Sequence, residues 1–204
     1  QVRAALSAGS AVLPHSIFDV TRLVSPTVAT EVEQKHNMLS TVLLSLLPGV
    51  LEHDDNLPED VSSFVQRSSR STVLRKGQFV VLETSSSHVL AFARWRRRAL
   101  FLVVANLSAS AIESSVRIDP ISEGLDDNKL YLFNNALHGA PLIQALVSSG
   151  SNGGPALALW GQNLRDAGLS VRMPGLSVKL FSVNLTRPIP SAVVREDVLT
   201  TTAN

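Results

Sequence analysis

The densest polar cluster in this 204-residue sequence is Glu52-His53-Asp54-Asp55. An imidazole among carboxylates could do acid/base work or hold a divalent cation, because both groups change protonation and offer lone pairs. The same run also reads as a solvated acidic turn. The five histidines, His15, His36, His53, His88 and His138, contain no pair at zinc-ligand spacing. There is no cysteine, which excludes a thiolate nucleophile, a disulfide and a cysteine-ligated metal within the chain. Ser-Asn-Gly-Gly-Pro at 151–155 lacks the Lys-Ser/Thr that completes a phosphate loop, Rossmann spacing is absent, and no Gly-x-Ser-x-Gly elbow occurs. Glycoside cleavage uses two carboxylates set by geometry; the candidates are Asp19, Glu52, Asp54 and Asp55. No metal and no cofactor is expected.

Two Asn-x-Ser/Thr sequons, Asn106-Leu107-Ser108 and Asn184-Leu185-Thr186, each fall at the end of a predicted strand. Either could carry a glycan on a secretory route. The remaining candidate is ARWRRRALFLVVANLS at 93–108, where Arg94, Arg96, Arg97 and Arg98 surround Trp95. The net charge of +1 argues against a nucleic-acid partner. The apolar run Ala99–Ala105 is too short for a membrane span. A hairpin explains both halves. Val89–Trp95 enters as one strand, Arg96–Arg98 form a solvated tip, and Ala99–Ala105 returns buried on both faces. Such a tip could still meet a partner or lipid head groups, but a soluble turn is its default.

These residues must be positioned by elements that the patterning also specifies. Hydrophobic residues are 45% of the chain and aromatic ones 5%, so the core is aliphatic. Residues 1–30 are mixed. Thr30 with Glu33 fits a capping box. Met38, Leu39, Val42, Leu43, Leu46 and Leu47 then make one apolar face, and Pro48-Gly49 ends it, which predicts a buried helix. Val50–His53 is a short candidate strand, and Val61, Phe64 and Val65 place a second helix over 59–70. Beyond Gly77, short segments rich in Val, Leu and Phe alternate with Ser, Gly, Asn and Pro, the pattern of an antiparallel sandwich or barrel. SSGSNGGP at 148–155 reads as a loop. The expected division is 1–74 helix-rich, 75–187 all-β, and 188–204 a polar tail that frays. The first region is too small to bury a good core alone and is expected to pack on something outside this sequence. The start at Gln1 suggests a processed or truncated piece of a longer chain.

Several segments, in order, resemble the α-amylase (glycoside hydrolase 13) superfamily. MLSTVLLSLLPGV resembles the stretch from the seventh barrel helix through a Pro-Gly turn into the last barrel strand. SIFDVTRLVS is similar to that family's Asn-His-Asp segment followed by an Arg. VSSFVQRSSRSTVLRKGQFVVL resembles the final barrel helix leading into the C-terminal β domain. HVLAFARWRRRALFLVVANLS and GLSVKLFSV resemble strands of that domain. The resemblance implies α/β plus all-β: the last elements of a (β/α)8 barrel over 1–74, then an antiparallel Greek-key β-sandwich over 75–187. It makes Asp19 a match to the family's transition-state-stabilising Asp, with Phe18 where His would stand. PGVLEHDDNLPED replaces the family's Tyr-Gly-Asp-Glu and long loop. The nucleophile and acid/base residues would lie upstream of Gln1.

One branch of the superfamily is most similar: the non-catalytic heavy chains of heteromeric amino-acid transporters, through the Arg-x-Trp, basic turn, Phe-Leu-Val-Val and Asn of residues 94–106. This branch implies a glycosylated ectodomain, on the extracellular side of the plasma membrane or secreted. Its partners would be the missing N-terminal barrel half and a polytopic membrane light chain. The alternative is the C-terminal portion of an active α-glucosidase or α-amylase-type hydrolase. A standalone β-sandwich module with a helical lead-in is the third reading.

Overall fold

The computed structural model describes residues 18–19, 31–48, 51–52, 59–136 and 155–189. Its first unit is a strand, helix and strand. β1 (Phe18–Asp19) pairs in parallel with β2 (Leu51–Glu52), and α1 (Glu31–Leu46) lies between them in sequence. Parallel neighbours need a crossover of this kind, since a tight turn can only reverse the chain. α1 occupies almost the span that its apolar spacing predicts; Thr30, its expected cap, is outside the described residues. Leu39, Val42, Leu43 and Leu46 are buried along one side of it. α2 (Glu59–Arg70) matches the predicted second helix and buries Val61, Phe64, Val65 and Ser68 at helical spacing. A five-residue helix, α3 (Thr72–Lys76), follows directly; Ser71 caps it by accepting from the Leu74 amide at 3.4 Å. It is too short for periodicity to reveal.

The β layer is larger. β3 (Gln78–Leu82), β4 (Val89–Arg96), β5 (Ala99–Asn106), β7 (Leu130–Asn135), β8 (Pro155–Trp160) and β10 (Ser177–Asn184) form an antiparallel sheet in the order β3-β4-β5-β10-β7-β8. β6 (Ile112–Val116) and β9 (Leu169–Met173) form a separate antiparallel pair. The pair is hinged to the large sheet through Thr84, which bridges to Val116, and through the Arg117 amide on the Glu83 carbonyl at 2.9 Å. β8 and the short helix α4 (Gly161–Ala167) fall where the sequence reading placed only the end of a loop or nothing. Pro155 opens the strand, at the sheet edge, where a missing amide is tolerated. Ile189 is buried in the β core, so the chain is still anchored just past Pro188, where fraying was expected to begin.

Strand alternation sends side chains into two cores. Ala91, Ala93 and Trp95 of β4, Leu102 and Val104 of β5, Tyr131 and Phe133 of β7 and Phe181 and Val183 of β10 face Leu169, Val171 and Met173 of the small sheet. On the opposite face, Leu90 and Phe92, Val103 and Ala105, and Val178 and Leu180 pack against α1 with Phe64 and Leu74. The centre of the large sheet thus has no solvent face, which is why β5 reads as a nearly unbroken apolar run.

One charged residue lies inside the helix-facing core. Arg94, 2% exposed, follows Leu90 and Phe92 on the same side of β4. Its guanidinium donates from Nη1 to the Leu46 carbonyl at 3.3 Å and from Nη2 to the Gly77 carbonyl at 3.4 Å. Those carbonyls close α1 and α3, where helix ends leave acceptors free and carry partial negative charge. No carboxylate among the described residues pairs with Arg94, and burial lowers its pKa to about 10. Its neighbour Trp95 points into the other core. Arg96, Arg97 and Arg98 are exposed, as expected of a tip, and Arg96 pairs with Ala99 across a two-residue loop. Arg97 has φ 57, a left-handed backbone that a side chain makes costly.

Two outcomes follow from these placements. Arg94→Ala leaves both carbonyls without their donor and opens a cavity, so urea unfolding should report a loss of roughly 3–5 kcal/mol. Arg97→Gly removes the left-handed penalty and should raise stability by about 0.5–1 kcal/mol in the same measurement.

Candidate functional site

In a parallel α/β unit, chemistry gathers at the carboxyl ends of the strands, because loops leaving that end can converge there. Asp19 and Glu52 are the last residues of β1 and β2 and are direct register partners. Adjacent strands put the two backbones about 4.8 Å apart. The structure therefore brings together two of the four candidate carboxylate positions as neighbours at one sheet end. Asp54, Asp55 and His53 lie outside the described residues, as do His15 and His138. His36 is exposed on α1 and His88 is exposed between β3 and β4, in different layers. Among the described residues no group of three potential ligands is placed to hold a metal ion.

The end of this unit is tied to the β layer through Arg94, which holds the last carbonyl of α1 a few residues before β2 begins. Sequence reading grouped Arg94 with the arginines around Trp95 and missed this role. The signal was available in principle: it sits on the same strand face as Leu90 and Phe92, two and four residues earlier.

The two sequon asparagines sit in opposite environments. Asn106 is fully buried at the end of β5. Its Nδ2 donates to the Ser110 carbonyl at 2.8 Å and to the Pro174 carbonyl at 2.7 Å, while its Oδ1 accepts from the Ser108 amide at 2.9 Å. Nδ2 is the atom a sugar would take, and both its hydrogens are committed. The folded chain thus contradicts the expectation that Asn106 faces solvent: it is a clamp joining the β5–β6 and β9–β10 turns. Asn184 is exposed at the end of β10. Thr186, the third residue of its sequon, is hydrogen-bonded to the Tyr131 hydroxyl, and that hydroxyl also accepts from the Asp126 amide at 2.7 Å.

Comparison with solved structures gives the frame for these parts. A noncanonic maltogenic α-amylase of Thermotoga neapolitana superposes on 80% of this chain with a TM-score of 0.50 at 13% identity. α-Amylases of Geobacillus thermoleovorans, solved with acarbose, and of Anoxybacillus align over 74% and 83% of the chain, with a TM-score of 0.47 and 10% identity in each case. The chain has the fold of part of an α-amylase. It spans 40% of the length of the Thermotoga protein, and 33% and 36% of the other two. No protein-family model matches the sequence, and no curated protein does. Among the described residues no helix is long and apolar enough to cross a membrane.

Asn106 gives the testable consequence. Asn106→Ala strands the Ser110 and Pro174 carbonyls in a buried site. Denaturant titration should show a loss of roughly 2–4 kcal/mol, and a loss below about 0.5 kcal/mol would contradict the clamp.

Proposed function

We propose that this chain is the C-terminal part of an amylase-like ectodomain that does not itself catalyse, and that supports a membrane amino-acid transporter by binding and trafficking its polytopic light chain. The observation that carries the non-catalytic half is the carboxyl end of the β1–β2 pair. Phe18 occupies the position before Asp19 where the resemblance calls for His. β2 then passes to α2 through residues 53–58 alone, where the resemblance calls for Tyr-Gly-Asp-Glu and a long loop. A transition-state carboxylate without its substrate-contacting neighbour, and with little chain to enclose a sugar, is poorly equipped to exclude water or to orient a glycosidic bond. The transporter half rests on the sequence resemblance of residues 94–106. On this reading the last elements of a (β/α)8 barrel precede a Greek-key β-sandwich, with a boundary near residue 74, and the missing barrel half completes the ectodomain. The protein works on the extracellular side of the plasma membrane, with Asn184 as the sequon free to carry a glycan.

A second reading is favoured by a specific feature. Asp19 and Glu52 stand in register at one sheet end, and an amylase-type hydrolase acting on α-glucosidic bonds would place acidic residues there, with its nucleophile and acid/base groups upstream.

An α-glucosidase assay on the full-length protein separates the two. The expected result is no turnover above a protein-free blank, with Asp19→Asn leaving delivery of the light chain to the cell surface unchanged. Turnover that disappears in Asp19→Asn would overturn the non-catalytic reading in favour of the hydrolase.

A further inference from the structure

The near-zero net charge of the chain hides a local imbalance. Residues 61–100 hold eight of the 18 basic residues, Arg67, Arg70, Arg75, Lys76, Arg94, Arg96, Arg97 and Arg98, and one of the 17 acidic ones, Glu83. The fold gathers five of these at one end of the large sheet. Arg96, Arg97 and Arg98 form the exposed β4–β5 tip, and Arg75 and Lys76 are exposed on the last turn of α3. The two segments touch: a Cβ on Gly77 would come within 2.9 Å of the Trp95 carbonyl oxygen.

Two exposed arginines elsewhere in the chain hold carboxylates, whereas Arg70, Arg172 and Arg187 are exposed without an ion pair among the described residues. Arg117 pairs with Asp119 at 2.8 Å and Arg165 with Asp127 at 3.0 Å. None of the five cations has such a partner among the described residues. Like charges packed together without counterions repel, and a multivalent anion relieves that repulsion while releasing its own counterions. Four of the five are arginines, whose planar forks take the oxygens of sulfate or phosphate two at a time.

We propose that this end of the sheet, formed by Arg75, Lys76, Arg96, Arg97 and Arg98, is a binding surface for a sulfated polysaccharide. The features around it select among polyanions. Trp95, the aromatic within the arginine run, is 5% exposed and buried in the opposite core, so no base can stack on it as single-stranded nucleic acid requires. A bilayer surface would want apolar side chains interleaved with the cations. The exposed Leu130, Leu132 and Trp160 lie instead on β7 and β8, separated from the β4–β5 tip by β10 and not interleaved with the cations. A hydrophilic chain of repeated sulfates needs neither feature. The surface stands on charge placement alone and would exist in a hydrolase or in a transporter heavy chain, so it can fail without the proposed function failing.

The test uses the full chain and heparin as the probe, with affinity followed against sodium chloride. The wild type should remain bound at about 0.15 M salt, where exposed charges more than a Debye length apart are screened. Replacing Arg96, Arg97 and Arg98 together by Gln should weaken binding roughly tenfold or more and flatten the slope of log K against log salt by about 2. Arg75→Gln with Lys76→Gln, on the neighbouring helix, should weaken it in the same direction, which keeps the test open if the tip variant misfolds. Arg117→Gln with Arg165→Gln should bind as the wild type. Equal affinity of the wild type and both cluster variants would overturn the proposal. So would binding to phosphatidylserine vesicles, RNA or polyglutamate as tight as to heparin.

Discussion

The middle strands of the large sheet, β4, β5 and β10, are covered on both faces, and most of the structure answers to that constraint. A sheet with one wet face can stand on a single core. This one needs a layer on each side: the β6–β9 pair with its connecting turns on one, and α1 to α3 on the other. Burial of an aliphatic side chain contributes on the order of 1.5–3 kcal/mol. Stripping the helices would return Leu90, Phe92, Val103, Val178 and Leu180 to water together, a loss comparable to the whole stability of a domain. The strand, helix and strand unit and the β layer are therefore joined by a shared core and not by a linker alone.

The parts that sequence patterning revealed are those with a strong period. α1 and α2 carried apolar residues at helical spacing, and the β4–β5 hairpin carried an apolar strand, a polar tip and then the continuous run of a doubly buried strand. Their observed limits lie within a residue or two of expectation. What escaped had weak or competing signals. β8 (PALALW) begins with a proline beside a glycine-rich stretch and is filled with Ala and Leu, which favour helices. α4 starts at a glycine, has no capping side chain and lasts seven residues. Its end was more legible in hindsight: Gly168 has φ 72, the left-handed position at which a helix gives way to a strand.

The candidate site was legible only as a set of residue types. Neither pattern nor resemblance put Asp19 beside Glu52; residues thirty-three positions apart become neighbours only through the parallel crossover, which the structure supplies. Asn106 shows the converse limit. A sequon is a local string, whereas the availability of its amide depends on Pro174, far along the chain. No local reading distinguishes Asn106 from Asn184, because the difference is made by which turn folds over the strand end.

Arg94 and its neighbours in the tip carry the same chemistry to opposite ends. Arg94 is one strand register inside the edge of the core, so its fork meets the carbonyls that close α1 and α3. Arg96 lies on the same strand face two residues on, past the covering helices, and stays in water. A buried cation without a carboxylate is costly, as its lowered pKa records. Two helix ends offset part of that cost while fixing where those helices stop. A methionine of similar volume would fill the space yet leave both carbonyls unpaired and free to shift. The charge is thus better understood as setting position than as adding stability. It holds the exit of α1, and with it the approach of β2 to the rim, in a defined relation to a sheet that cannot move without exposing two cores.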